Sequence, residues 1–157
     1  MSLPSTLTLA RTALYAGVLA GALDIAAAIV TNLQVPARVV LQSVASGLLG
    51  PAAWRGGWPT AWLGLAAHFA IMLVIAVIFV AAAAAVPALR RFWLPVGVAF
   101  GVAVWVVMTF VVVPMSAAAL PAPDLAAALK GLAIHILFVG LPIAWVSRRM
   151  MGAPAAA

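Results

Sequence analysis

His68 and His135 are the only histidines in the chain, and each stands four residues after a glycine within a long apolar run. Gly64-Leu65-Ala66-Ala67-His68 and Gly131-Leu132-Ala133-Ile134-His135 therefore place a notch and an imidazole on one helical face. A third apolar run is interrupted by Asp24. These residue types support a short list of chemistries. Imidazole titrates near neutral pH, so two rings and a carboxylate can relay a proton or hold a cation transiently. Alternatively, His68 and His135 can ligate haem b axially, with the neighbouring glycines leaving room for the macrocycle. With Asp24 they can also form a three-ligand divalent-metal site with an open position. The plainest role is structural, each ring hydrogen-bonding between helices.

The runs that carry these residues read as membrane helices. With 68% hydrophobic residues, 6% charged and a mean hydropathy of +1.29, the chain lies far from soluble domains, in which about a quarter of residues are charged. The expected fold is an all-α polytopic membrane four-helix bundle in a single domain. Its spans fall at about 12–33, 60–86, 92–113 and 125–147. The first run has signal-peptide features, but Asp24 breaks it where such a peptide is most hydrophobic, so it is taken as a retained helix. Asp124 suits the N-cap of the fourth span. Between Pro36 and Pro51 lies a segment too short to span, expected as a re-entrant or interfacial helix at about 37–50. Its Gln42, Ser43 and Ser46 share a polar face opposite Val40, Leu41, Val44, Ala45, Leu48 and Leu49. In the re-entrant case that polar face lines an outer mouth.

Depth brings the ionisable groups together. Measured from the outer helix ends, Asp24, His68 and His135 each lie roughly 12–16 Å in at 1.5 Å per residue. Trp105 belongs to the same layer, and Thr109 lies one turn further out. Ionisable side chains at this depth are costly against lipid, and they face a bundle interior or a water-filled cavity.

Glycine spacing suggests an internal repeat. Gly17 and Gly21 in the first span match Gly97 and Gly101 in the third, and the two GLAxH words match between the second and fourth. The chain thus reads as two tandem helical hairpins related by a pseudo-two-fold axis along the membrane normal. The GxxxG faces also offer a surface for homo-oligomerisation. With a cytoplasmic N-terminus, Arg11, Arg90, Arg91, Arg148 and Arg149 lie inside against Arg38, Arg55 and Lys130 outside, which favours both termini in the cytoplasm. The net charge of +6 does not indicate nucleic acid, because the arginines stand singly or in pairs at the ends of apolar runs. The lipid bilayer is the expected partner. The absence of cysteine excludes disulfides, thiolate metal sites and thiol nucleophiles. No nucleophile–base pair, paired carboxylates or phosphate loop speaks for an enzyme.

One family resemblance emerges from these features. His68 opens an aliphatic helix ending at Pro87, a glycine-containing third helix ends at Pro114, and the fourth helix carries His135 shortly after a glycine and ends in Arg148-Arg149. Over roughly residues 60–150 this pattern resembles the YagU-like family of small bacterial inner-membrane proteins. The resemblance implies a bacterial inner-membrane location and a role in envelope or acid physiology, and it supplies no chemistry. Three function classes stay open: translocation of a proton, cation or small solute through Asp24, His68 and His135; a haem b protein; and a structural or accessory membrane subunit.

Overall fold

In lipid every backbone N–H and C=O must be satisfied within its own segment, so long apolar runs fold as helices. The computed structural model describes residues 4–152. Its helices are α1 (Thr6–Val30), α2 (Ala37–Leu49), α3 (Gly57–Ala85), α4 (Trp93–Met115) and α5 (Leu125–Met151). No strand occurs among the described residues. Four helices, α1, α3, α4 and α5, are long and apolar enough to cross a membrane. α2, with 13 residues, is too short. The chain is a multi-pass, all-α helical bundle.

Helix ends follow local chemistry. α1 begins ahead of the expected start because Ser5 caps it, its Oγ accepting the Thr8 N–H at 3.2 Å. Asp124 caps α5 as expected, accepting the Ala127 N–H at 2.8 Å. Pro114 does not stop the third span, which continues to Met115. Instead the turn before it, Met108–Val112, widens to π geometry. The same happens at His135–Gly140, immediately before Leu141-Pro142. Proline lacks an N–H and crowds the carbonyl four residues back, and an extra residue in the preceding turn relieves both problems.

The interior is built from small residues. Ala16, Ala20, Ala61, Ala76 and Ala83 are fully buried, whereas Leu14, Val18, Val74, Ile78 and Phe110 point outward. Lipid tails are as apolar as leucine, so helices associate through close packing, and that favours small side chains at the contacts. Gly17 abuts the backbone at Met72 and Leu73, and Gly21 abuts Phe69 and Met72, which locks α1 onto α3. Gly97 and Gly101 do the same for α4, meeting Gly140, His135 and Ile136 on α5. Both GxxxG faces are therefore used inside the chain.

Repetition holds within each hairpin but not between them. α1 lies along α5 over much of its length, while α3 and α4 meet more sparsely, with Phe79 and Phe100 at a centroid distance of 4.8 Å. A two-fold axis along the normal would make these two contacts equal. The core uniting the hairpins contains Ala16, Ala20, Met72, Ala76, Phe79, Val104, Val139, Ile143 and Ala144.

Polar clasps secure the two ends. At one, the one-turn helix Ala88–Arg91 carries a buried Arg90 whose Nη1 donates to the Met151 carbonyl at 2.8 Å, capping α5. At the other, Lys130 Nζ donates to Thr31 O at 3.3 Å and Asn32 Oδ1 at 3.2 Å, tying the start of α5 to the end of α1. There α2 packs across α3 at Gly64, whose missing Cβ admits the Leu41 carbonyl. The Ala117 N–H donates to Gly47 O at 3.0 Å, fastening the end of α2 to the α4–α5 connection.

Candidate functional site

His68 is 7% exposed in the α1/α3 seam, with Nε2 2.9 Å from the Gly21 carbonyl oxygen. Gly21 allows this reach because, without a side chain, it brings the α1 backbone against Phe69 and Met72. A carbonyl oxygen has two lone pairs, so it can serve its own helix and the ring together. It can only accept, so Nε2 carries the hydrogen, and in a neutral ring Nδ1 holds the free lone pair.

His135 is half-buried and turns back on its own helix, its Nδ1 lying 2.8 Å from Gly131 O. The repeat would have it bond the carbonyl of Gly101, as His68 bonds that of Gly21. The π turn that begins at His135 breaks the equivalence, placing its backbone carbonyl against Gly101 instead. By the same reasoning, Nδ1 is the donor and Nε2 holds the free lone pair of the neutral ring.

Asp24 sits on α1 one turn beyond Gly21, whose carbonyl is bonded by His68. Its Oδ1 is buried without a hydrogen-bond partner. A buried polar atom left alone costs about 1–3 kcal/mol, and more when charged. Trp105 packs its indole nitrogen on Gly131, whose carbonyl accepts the hydrogen bond of His135 Nδ1. Its ring meets Phe110 edge-on at 5.7 Å. Thr109 is half-buried in the widened turn of α4, and no hydrogen bond joins it to Asp24 or to either histidine among the described residues.

The glycine notches hold protein. α2 backbone fills the space at Gly64, and Trp105 fills that at Gly131. His68 bonds across to α1, while His135 bonds within α5. Among the described residues, no three His, Asp or Glu side chains are grouped to hold a metal ion.

The outer-mouth residues are placed differently from their expectation. Gln42 is 1% exposed, and its Nε2 donates to Ala53 O at 2.9 Å, Gly57 O at 3.1 Å and Thr60 Oγ1 at 3.0 Å. It latches α2 to the start of α3. Ser46 is 2% exposed and donates to Ser43 O at 2.7 Å. Of the three, Ser43 borders a cavity, shared with Asn32, Val39 and Trp54. α2 turns a mixed face inward because Leu41 and Ala45 fit the Gly64 notch beside Gln42, leaving Leu48 and Leu49 exposed. The buried Arg90, with an unpartnered Nε, reads in the sequence only as an orientation signal. Its position after Pro87, at the end of an apolar run, carries no mark of burial. Comparison with protein-family models, with curated proteins and with solved structures finds no match for this chain.

Proposed function

We propose that this integral membrane protein moves protons, or a cation or small solute coupled to them, through the layer formed by Asp24, His68 and His135. The observation that carries the reading is the buried, unpartnered Oδ1 of Asp24, one turn along α1 from the Gly21 carbonyl that holds His68. Each imidazole has one nitrogen committed to a backbone carbonyl and one left over. In this reading the carboxylate accepts a proton from one side, and the free nitrogens, His68 Nδ1 and His135 Nε2, hand it on. The carbonyl bonds keep the rings oriented through the cycle. We place the arginine-rich end in the cytoplasm, following the distribution of basic residues, and the protein in a bacterial inner membrane, following the YagU-like resemblance.

The test is flux into proteoliposomes loaded with a pH-sensitive dye under an imposed pH gradient. Asp24→Asn keeps the shape and removes the proton site, so flux should fall to the level of empty liposomes. Flux by the wild-type protein that Asp24→Asn leaves unchanged rejects the relay. A second reading rests on the His68–Gly21 bond, which ties α1 to α3: the layer is then an interhelical clasp in an accessory subunit. That reading expects no wild-type flux above empty liposomes, and lower stability for His68→Ala.

A further inference from the structure

At the arginine-rich end, two cavities adjoin. One, of about 450 Å³, is lined by Trp93, Trp145, Arg148, Arg149 and Gly152. The other, of about 360 Å³, shares Trp93 and Trp145 and runs between α1 and α5 along Leu19, Leu23, Leu137 and Leu141. A basic chamber thus opens into an apolar groove across a pair of indoles, at the depth where tryptophan favours the membrane–water interface. We propose that an anionic phospholipid binds here, its phosphate held by Arg148 and Arg149 and one acyl chain lying in the groove.

Charge and geometry both support this occupant. Asp24 and Asp124 are the only acidic residues of the chain; Asp24 lies in mid-span, and Asp124 caps the opposite end of α5. Among the described residues, no side-chain carboxylate therefore competes for either guanidinium. Arg148 Cζ stands 5.9 Å from the centroid of Trp93, and Arg149 Cζ stands 5.7 Å from that of Trp145. Resting on the rings orients the guanidinium groups and leaves their N–H forks free for phosphate oxygens. It also covers the indole faces that a choline headgroup would use, which disfavours zwitterionic lipid. A helix C-terminus ordinarily repels anions, but here Arg90 donates to the carbonyls of Met151 and Gly152 at 2.8 and 3.4 Å, offsetting that partial charge. From Arg148 to Leu137 the groove follows α5 for roughly 16 Å at 1.5 Å per residue, long enough for most of an acyl chain. A free phosphate would use only the chamber and leave the groove unexplained.

Native mass spectrometry of the delipidated full chain, with phosphatidylglycerol and phosphatidylcholine of matched acyl chains, tests the proposal. Phosphatidylglycerol should be retained with a preference on the order of tenfold, and Arg148→Gln with Arg149→Gln should abolish that preference. Leu137→Trp changes a lipid-exposed position and so preserves the fold; it should weaken binding of long-chain but not of dihexanoyl phosphatidylglycerol. Equal retention of the two lipids, a preference that survives the double substitution, or long-chain binding unaffected by Leu137→Trp would each overturn the proposal. Full displacement of phosphatidylglycerol by inorganic phosphate would overturn it in favour of a free-anion site.

Discussion

At the scale of single residues, polar groups in this bundle are either matched or exceptional. Thr12 and Ser147 are fully buried yet return their hydroxyls to carbonyls of their own helices at 2.7 and 2.8 Å. Gln42 spends its amide N–H donors on three oxygens, and Asp24 Oδ1 is unmatched. Gln42→Ala should therefore lower stability by about 1–2 kcal/mol, read from unfolding in mixed micelles. Gln42→Glu should cost more, because a carboxylate has no hydrogen to offer the Ala53 and Gly57 carbonyls. Wild-type stability for both variants would show that the latch contributes nothing. Sequence exposed the candidates through their rarity in apolar surroundings. It could not say that Gln42 would face inward while neighbouring leucines faced out, since that depends on which face of α2 fits Gly64.

At the scale of elements, glycine sets how near the helices come. A Cβ on Gly17 would meet Leu73 and Met72 backbone at 3.1 and 3.3 Å, whereas one on Gly140 would press into Gly101 backbone at 2.6 and 2.7 Å. Gly140→Ala must part α4 from α5, and should destabilise by about 2–3 kcal/mol, compared with about 1 kcal/mol for Gly17→Ala. Unfolding by SDS titration separates the two, and an equal or reversed order would contradict the packing. The GxxxG spacing announced two of these seams, though as surfaces open to self-association as well. Gly140 carries no such signal, because its partners, Gly97 and Gly101, come from another helix. The two π turns had a legible cause in Pro114 and Pro142, whose usual role of ending helices concealed it.

At the scale of the molecule, four spans put Ser5, Arg91 and Gly152 at one end and Trp54 and Ala122 at the other. The chain has no cysteine, so single-cysteine variants report sidedness without background. Ser5→Cys, Arg91→Cys and Gly152→Cys should react with a membrane-impermeant maleimide from one side, and Trp54→Cys and Ala122→Cys from the other. Reaction of Trp54→Cys from the same side as Gly152→Cys would break the topology. Which end is cytoplasmic follows from the same labelling in oriented vesicles, where the basic-residue distribution expects Gly152 inside.

Sequence alone determined what is local or compositional. Long apolar runs have to be helices in a medium that offers backbone groups no other partner. Their number, the short α2 after Pro36 and the Asp124 cap were all legible for that reason. The tertiary structure decided the rest. It set α1 along α5 in place of a symmetric pairing of hairpins, and it filled the notch at Gly64 with α2. It also sent His68 to a carbonyl of α1 while His135 returned to its own helix. These outcomes depend on the rotation of one helix about its axis relative to another. That rotation is fixed by the simultaneous fit of small residues on several helices, which no single run of sequence encodes.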